Sequence, residues 1–168
     1  KDFVSRYSDY LEEAKTRQGR SEAEIKSSDE YQELDSAFKE AAAAAKKETD
    51  PIQAQVKRIE AKIDSLTLPF QDARSWIVAK TYQIEVAGSE SKKNDLREAI
   101  EAKKQEPIDF EMPNEEGVKE EQSLPYTELE KLYNSLKDEK ARLLAELVRI
   151  NQPRDAAQKK LDEYMKDN

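Results

Sequence analysis

The chain has no cysteine and no histidine among its 168 residues, and only three glycines and six prolines. Each shortage removes a class of chemistry. Without thiol or imidazole the chain itself can supply no thiolate nucleophile, histidine base, Ser-His-Asp triad, CxxCH haem attachment, histidine-ligated haem or ordinary zinc site. Carboxylate-bridged metal sites on helices, which need Glu-x-x-His pairs, fall with them. The glycines stand singly at 19, 88 and 117, so no phosphate-cradling loop exists. Scarce turn formers also argue against a many-stranded β fold. No run of about 18 apolar residues is present, so nothing here is expected to span a bilayer. The opening Lys1-Asp2-Phe3-Val4 lacks the basic and apolar regions of a signal peptide. An absence of cysteine suits an exported domain and a cytosolic one equally, and leaves the redox compartment open.

What the chain does contain is charge: 39% of its residues are charged against 36% apolar. Lys, Glu, Ala, Leu and Arg dominate, as in long helices and coiled coils. The net charge of -8 disfavours nucleic-acid backbone, which needs concentrated Lys and Arg.

The strongest pattern starts at Pro51. Ile52, Val56, Ile59, Ile63, Leu66, Phe70, Ala73, Ile77, Lys80, Ile84 and Ala87 recur at alternating steps of four and three, a heptad seam with one charged intruder. Pro69 lies within it and predicts a kink near Leu66 to Pro69 instead of a break, because the register survives on both sides. A second seam joins Leu129, Leu136, Leu143, Ile150, Ala157 and Tyr164 with Tyr133, Lys140, Leu147, Arg154 and Leu161. It continues past Pro153, and Thr127-x-x-Glu130 ahead of it reads as a capping box.

Between the seams, Gly88 to Ser91 ends the first helix, and Ser91 or Asn94 is placed to cap a short helix holding Leu96 and Ile100. Ile108, Phe110 and Met112 then alternate with Asp109 and Glu111, followed by Pro113-Asn114-Glu115-Glu116-Gly117. That is a small β-hairpin with a Pro/Gly turn, marginal unless it packs on something. From Glu106 to Pro125 there are seven acidic residues and one lysine, a net of -6, so the rest of the chain carries only -2.

The N-terminal third is less regular. Phe3, Tyr7, Tyr10 and Leu11 share a helical face that is expected to pack on the remaining helices. Gly19 to Ser28 reads as a polar turn, and Tyr31, Leu34, Phe38, Ala41 and Ala45 resume the three-four spacing. At Asp50-Pro51 either two helices meet or one long kinked helix continues.

These patterns predict an all-α, elongated antiparallel helical hairpin or coiled coil with a short irregular or β-hairpin insertion. Residues 1–50 form N-terminal helices packing on it, and residues 51–168 form the hairpin, with a connector at 88–126. The alternative is a parallel dimer in which each seam pairs with its copy. Trp76 is expected as a half-buried packing residue, the Glu115-Glu116-Gly117 turn as solvated loop, and the lysine pairs at 46–47, 92–93, 103–104 and 159–160 as solvated flanks. No catalytic, cofactor-binding or metal residue is assigned.

Leu68-Pro69-Phe70-Gln71-Asp72-Ala73-Arg74, Thr81-Tyr82-Gln83-Ile84-Glu85 and Leu136 to Leu144 resemble the long helical region between the membrane anchor and the haem-binding part of certain bacterial membrane-associated c-type cytochromes. The resemblance covers residues 50 to 168. It implies a non-catalytic spacer or docking module in the periplasm or cell envelope, with haem c and any anchor on flanking residues. CxxCH is missing, so no haem ligand carries over. The alternative is an autonomous protein-binding scaffold, cytoplasmic or not, that uses the acidic connector for a protein partner. A carboxylate-pair enzyme is the third reading, expected least.

Overall fold

The computed structural model describes the backbone of residues 2–168 and the side chains of residues 3–11 and 19–168. Five helices and one hairpin follow in the order α1 (Asp2–Gln18), α2 (Glu22–Ser27), α3 (Asp29–Val86), α4 (Glu90–Gln105), β1 (Pro107–Pro113), β2 (Lys119–Pro125) and α5 (Tyr126–Asp167). The chain is mostly α-helical with a β-hairpin insertion. α3 passes through both Pro51 and Pro69 without a break, and α5 passes through Pro153. One long helix, not two, therefore occupies the Asp50-Pro51 junction. Each proline removes one backbone donor, yet buried residues continue on both sides, Thr49 and Val56 about Pro51 and Leu66 and Phe70 about Pro69.

The residues group into two compact units, Pro51–Leu147 and Lys1–Asp50 with Val148–Asn168. In the first, the heptad residues face inward as their spacing predicts. Val56, Ile59, Leu66, Phe70, Ala73 and Ile77 of α3 form one buried cluster with Leu129, Leu136 and Leu143 of α5, joined by Ile100, Phe110 and Tyr126. Leu66 and Leu129 are wholly buried, and each contributes roughly 1.5–3 kcal/mol through the apolar surface it removes from water. The helices run antiparallel here: Glu60 pairs with Lys140 at 3.3 Å, while Phe70, further along α3, meets Tyr133 and Tyr126, earlier on α5, at 4.6 and 5.6 Å between ring centroids.

Among the described residues the second unit has a thinner core of Ile25, Ala45 and Leu161, with Thr49 also buried. Its helices are tied by polar contacts. The Ser28 hydroxyl donates to the Ile25 carbonyl at 2.7 Å and accepts from the Tyr31 amide at 3.2 Å, so the Tyr164 hydroxyl, 2.9 Å away, is the donor to Ser28. One serine thus closes α2, caps α3 and holds α5. Gly19 ends α1 at φ +77, and its neighbour Arg20 donates from its amide to the Asn168 carbonyl oxygen at 3.0 Å and from its guanidinium to the Asn168 side-chain oxygen at 2.9 Å. A Cβ at Gly19 would come within 2.5 Å of that carbonyl oxygen, so glycine is required both for the left-handed backbone and for the close approach.

Four sequence expectations are corrected. Phe3, Tyr7, Tyr10 and Leu11 do not pack on other helices; they are 82, 58, 64 and 44% exposed. Their amphipathic spacing shapes a helix but supplies no partner for its apolar face. Lys1 and the side chains of the flanking acids Glu12 and Glu13 lie outside the described residues. The Gly19 to Ser28 stretch is not all turn, because Ser21 caps the short α2 by accepting from the Glu24 amide at 3.2 Å. α4 is capped by Ser89, whose hydroxyl accepts from the Lys92 amide at 3.3 Å, and not by Ser91 or Asn94. The capping box at Thr127 and Glu130 is displaced as well. α5 starts at Tyr126, and the Glu130 carboxylate receives the Tyr126 hydroxyl at 2.9 Å.

Candidate functional site

The acidic connector folds into the hairpin that its alternation predicts. β1 and β2 pair antiparallel in the register Ile108↔Leu124, Phe110↔Gln122 and Met112↔Glu120 on one face, and Asp109↔Ser123 and Glu111↔Glu121 on the other. The turn fixes this register. Gly117 donates its amide to the Asn114 carbonyl at 3.0 Å and takes φ +82, while the Asn114 side-chain oxygen accepts from the Glu116 and Val118 amides at 2.9 and 3.0 Å. This is a type I turn closed by a left-handed glycine. The Asn114 amide group also donates to Glu120 at 2.9 Å, so Glu115 and Glu116 are left as solvated turn residues.

Two strands alone are marginal. Here Phe110 is buried in the main cluster, with Ile108, Met112 and Leu124 packed against it. Seating that apolar face forces the opposite one outward, because strand side chains alternate. The outer face carries Asp109, Glu111 and Glu121, all exposed. Glu111 and Glu121 are cross-strand neighbours, an arrangement in which like charges repel. Neither has an ion-pair partner among the described residues. An open groove bounded by Asp109, Phe110, Glu111, Glu121, Gln122 and Ser123 runs across this surface. Water reaches it freely, so it offers none of the desolvation that acid-base chemistry by a carboxylate pair exploits.

Trp76 is half-buried against the core cluster, as expected, with the ammonium groups of Lys80 and Lys103 at 5.4 and 5.5 Å from its ring centroid. That contact accounts for Lys80, the charged intruder of the first seam, whose stem covers apolar surface while its head rests on the ring. In the second seam Lys140 reaches Glu60, and Arg154 turns to Asp155 at 3.0 Å. Of the lysine pairs expected as solvated flanks, Lys93, Lys103 and Lys104 are half-buried; Lys93 pairs with the exposed Glu90 and Lys104 with the exposed Glu101, each pair contributing about 0–1 kcal/mol.

No family model, curated protein or solved structure matches the chain. Its chemistry must be judged from its own geometry. Among the described residues no group of carboxylates is arranged to hold a metal ion, and no helix is long and apolar enough to cross a membrane. Among the described residues the largest pKa displacement belongs to Tyr126, pushed up to about 12 by burial and by its hydrogen bond to the Glu130 carboxylate, with Arg74 pulling weakly the other way. The phenol is stacked on Phe70 with the ring planes 1° apart, which marks it as a packing group. The acidity of the connector was legible in the sequence. The opposition of Glu111 to Glu121 was not, because it depends on where the Asn114 to Gly117 turn sets the register.

Proposed function

We propose that this chain is a non-catalytic docking module whose helices hold the acidic outer face of the β1-β2 hairpin as the contact surface for a basic segment of a protein partner. The Glu111-Glu121 opposition carries this reading. Two uncompensated carboxylates side by side cost stability in the isolated chain, and a cation presented from outside relieves that repulsion. The strands also leave backbone groups free along their outer edges, which suits an extended peptide. Tested with the chain immobilised, capture should yield partners that salt releases, and the Glu111→Lys/Glu121→Lys variant should lose them. Undiminished capture by that variant would overturn the proposal.

The wider setting we propose is a spacer within a membrane-associated, periplasmic c-type cytochrome, with haem c on flanking residues. An uninterrupted α3 of 58 residues suits a spacer, since at about 1.5 Å rise per residue a helix separates what it joins. A natural reading frame carrying CxxCH beyond residue 168 supports this setting; one that stops just past it counts against it.

A further inference from the structure

The core seam does not exhaust the pattern of α3. Leu68, Gln71, Ser75, Val78, Tyr82 and Val86 follow one another at steps of three, four, three, four and four. At 3.6 residues per turn they lie about 100–180° around the helix from Ile77, on the side away from the buried seam. Leu68, Val78, Tyr82 and Val86 are 68, 58, 65 and 64% exposed. Gln71, Ser75 and the neighbouring Ala79 are exposed too. A chain that is 39% charged thus keeps this outer stripe free of charge for more than four turns. A solvated helix face is expected to carry charge, whereas an apolar column at heptad spacing is what a second helix packs against.

Only four charged residues lie between Leu66 and Ser89, namely Asp72, Arg74, Lys80 and Glu85. Lys80 is committed to Trp76. Arg74 and Glu85 border the stripe on the same edge, and neither has an ion-pair partner among the described residues. Eleven positions separate them, about 16 Å along the axis, so they cannot meet within one helix. They do meet between two copies. With a second α3 laid antiparallel across the stripe and the two-fold axis passing between positions 79 and 80, Arg74 of each copy comes level with Glu85 of the other. The same operator brings Val78 of each copy within one residue's rise, about 1.5 Å, of the level of the other's Tyr82. A parallel, in-register pair would instead put the Arg74 and Glu85 edges of the two copies on opposite sides of the contact, where these ion pairs cannot form.

We propose that the outer face of α3 from Leu68 to Val86 is a self-complementary docking surface for a second copy of this chain, packed antiparallel and clamped by two symmetric Arg74-Glu85 ion pairs. Isologous contact of this kind is the usual way a single surface makes a closed dimer. The arrangement differs from a dimer built on the core seams, which α3 and α5 already fill within one chain.

Sedimentation equilibrium over a concentration series tests it. The wild-type chain should show a monomer-dimer equilibrium. Val78→Asp/Tyr82→Asp should be monomeric with unchanged helical circular dichroism, since both side chains are exposed. Arg74→Glu and Glu85→Arg should each weaken dimerisation by about tenfold or more, the scale of losing paired charges across an interface, and the double swap should restore it. A wild-type chain that stays monomeric to its solubility limit overturns the proposal, as does a dimer indifferent to the Val78 and Tyr82 substitutions. If the single swaps dissociate the dimer and the double swap does not rescue it, the antiparallel register is wrong.

Discussion

Pro51–Leu147 and the unit formed by Lys1–Asp50 with Val148–Asn168 draw on the same two long helices, yet they are held by different forces. In the first, large side chains meet: Leu66, Phe70, Leu129 and Leu136 are buried in one cluster, and Tyr133 and Trp76 pack on it. In the second, the helix facing α5 presents the alanine-rich stretch from Ala41 to Ala45, and much of the connection passes through Ser28, Tyr31 and Tyr164. Burial scales with the apolar area removed from water, whereas a hydrogen bond yields only its net gain over water. A heptad seam therefore sets which helix faces meet, while the size of its residues sets how strongly they hold.

Leu66→Ala is expected to break that contrast most visibly, because the site is wholly buried and the lost transfer and cavity terms amount to about 3–5 kcal/mol. Leu161→Ala in the thinner core should cost about 2 kcal/mol. Urea unfolding measures both, and equal losses would mean that the two cores are equally well packed.

Alkali probes the first unit through its buried phenol. The Tyr126 pKa is raised from 10.0 to about 12 on folding. Folding therefore favours the protonated form, and the associated stability is complete below pH 10 and lost as pH rises toward 12. A phenolate absorbance titration should find one of the seven tyrosines ionising late, and Tyr126→Phe should remove that late step. If the late step persists in the variant, the assignment to Tyr126 fails.

Ser28→Ala, in the second unit, removes a cap and the acceptor of the Tyr164 hydroxyl and should cost about 1–2 kcal/mol. Tyr164→Phe removes only one of those bonds, so it should cost less than Ser28→Ala in the same melting experiment. The smallest effect is expected on the hairpin. Glu111→Gln relieves the repulsion from Glu121 and should stabilise the fold by about 0.2–1 kcal/mol, a gain that added salt should shrink. Destabilisation by Glu111→Gln would show that the carboxylate makes a favourable contact.

Local and periodic features were readable in advance. The positions of both seams, from Ile52 to Ala87 and from Leu129 to Tyr164, are buried or half-buried, and the alternation of Ile108, Phe110 and Met112 predicted the hairpin. Features that depend on an end or a partner were not. The cap of α4 is Ser89 in place of Ser91 or Asn94, because several Ser and Asn residues compete near that terminus, and α5 starts one residue ahead of Thr127. The face of Phe3, Tyr7 and Tyr10 is amphipathic, but amphipathicity does not say what covers it. The outer stripe of α3 sat in the sequence beside a stronger seam on the same helix, and only the burial of one seam exposes the other as unpartnered.

The sequence by itself determined that this chain brings no thiol or imidazole chemistry, that its apolar residues fall at helical and strand periods, and that its acidity gathers in one connector. These follow from composition and from the fixed geometry of backbone repeats. Only the tertiary structure decided that Glu111 stands opposite Glu121, that Lys80 rests on Trp76, and that Arg74 and Glu85 border an unburied stripe. Those relations depend on strand register and on which helix face another helix occupies, and both are set by long-range packing.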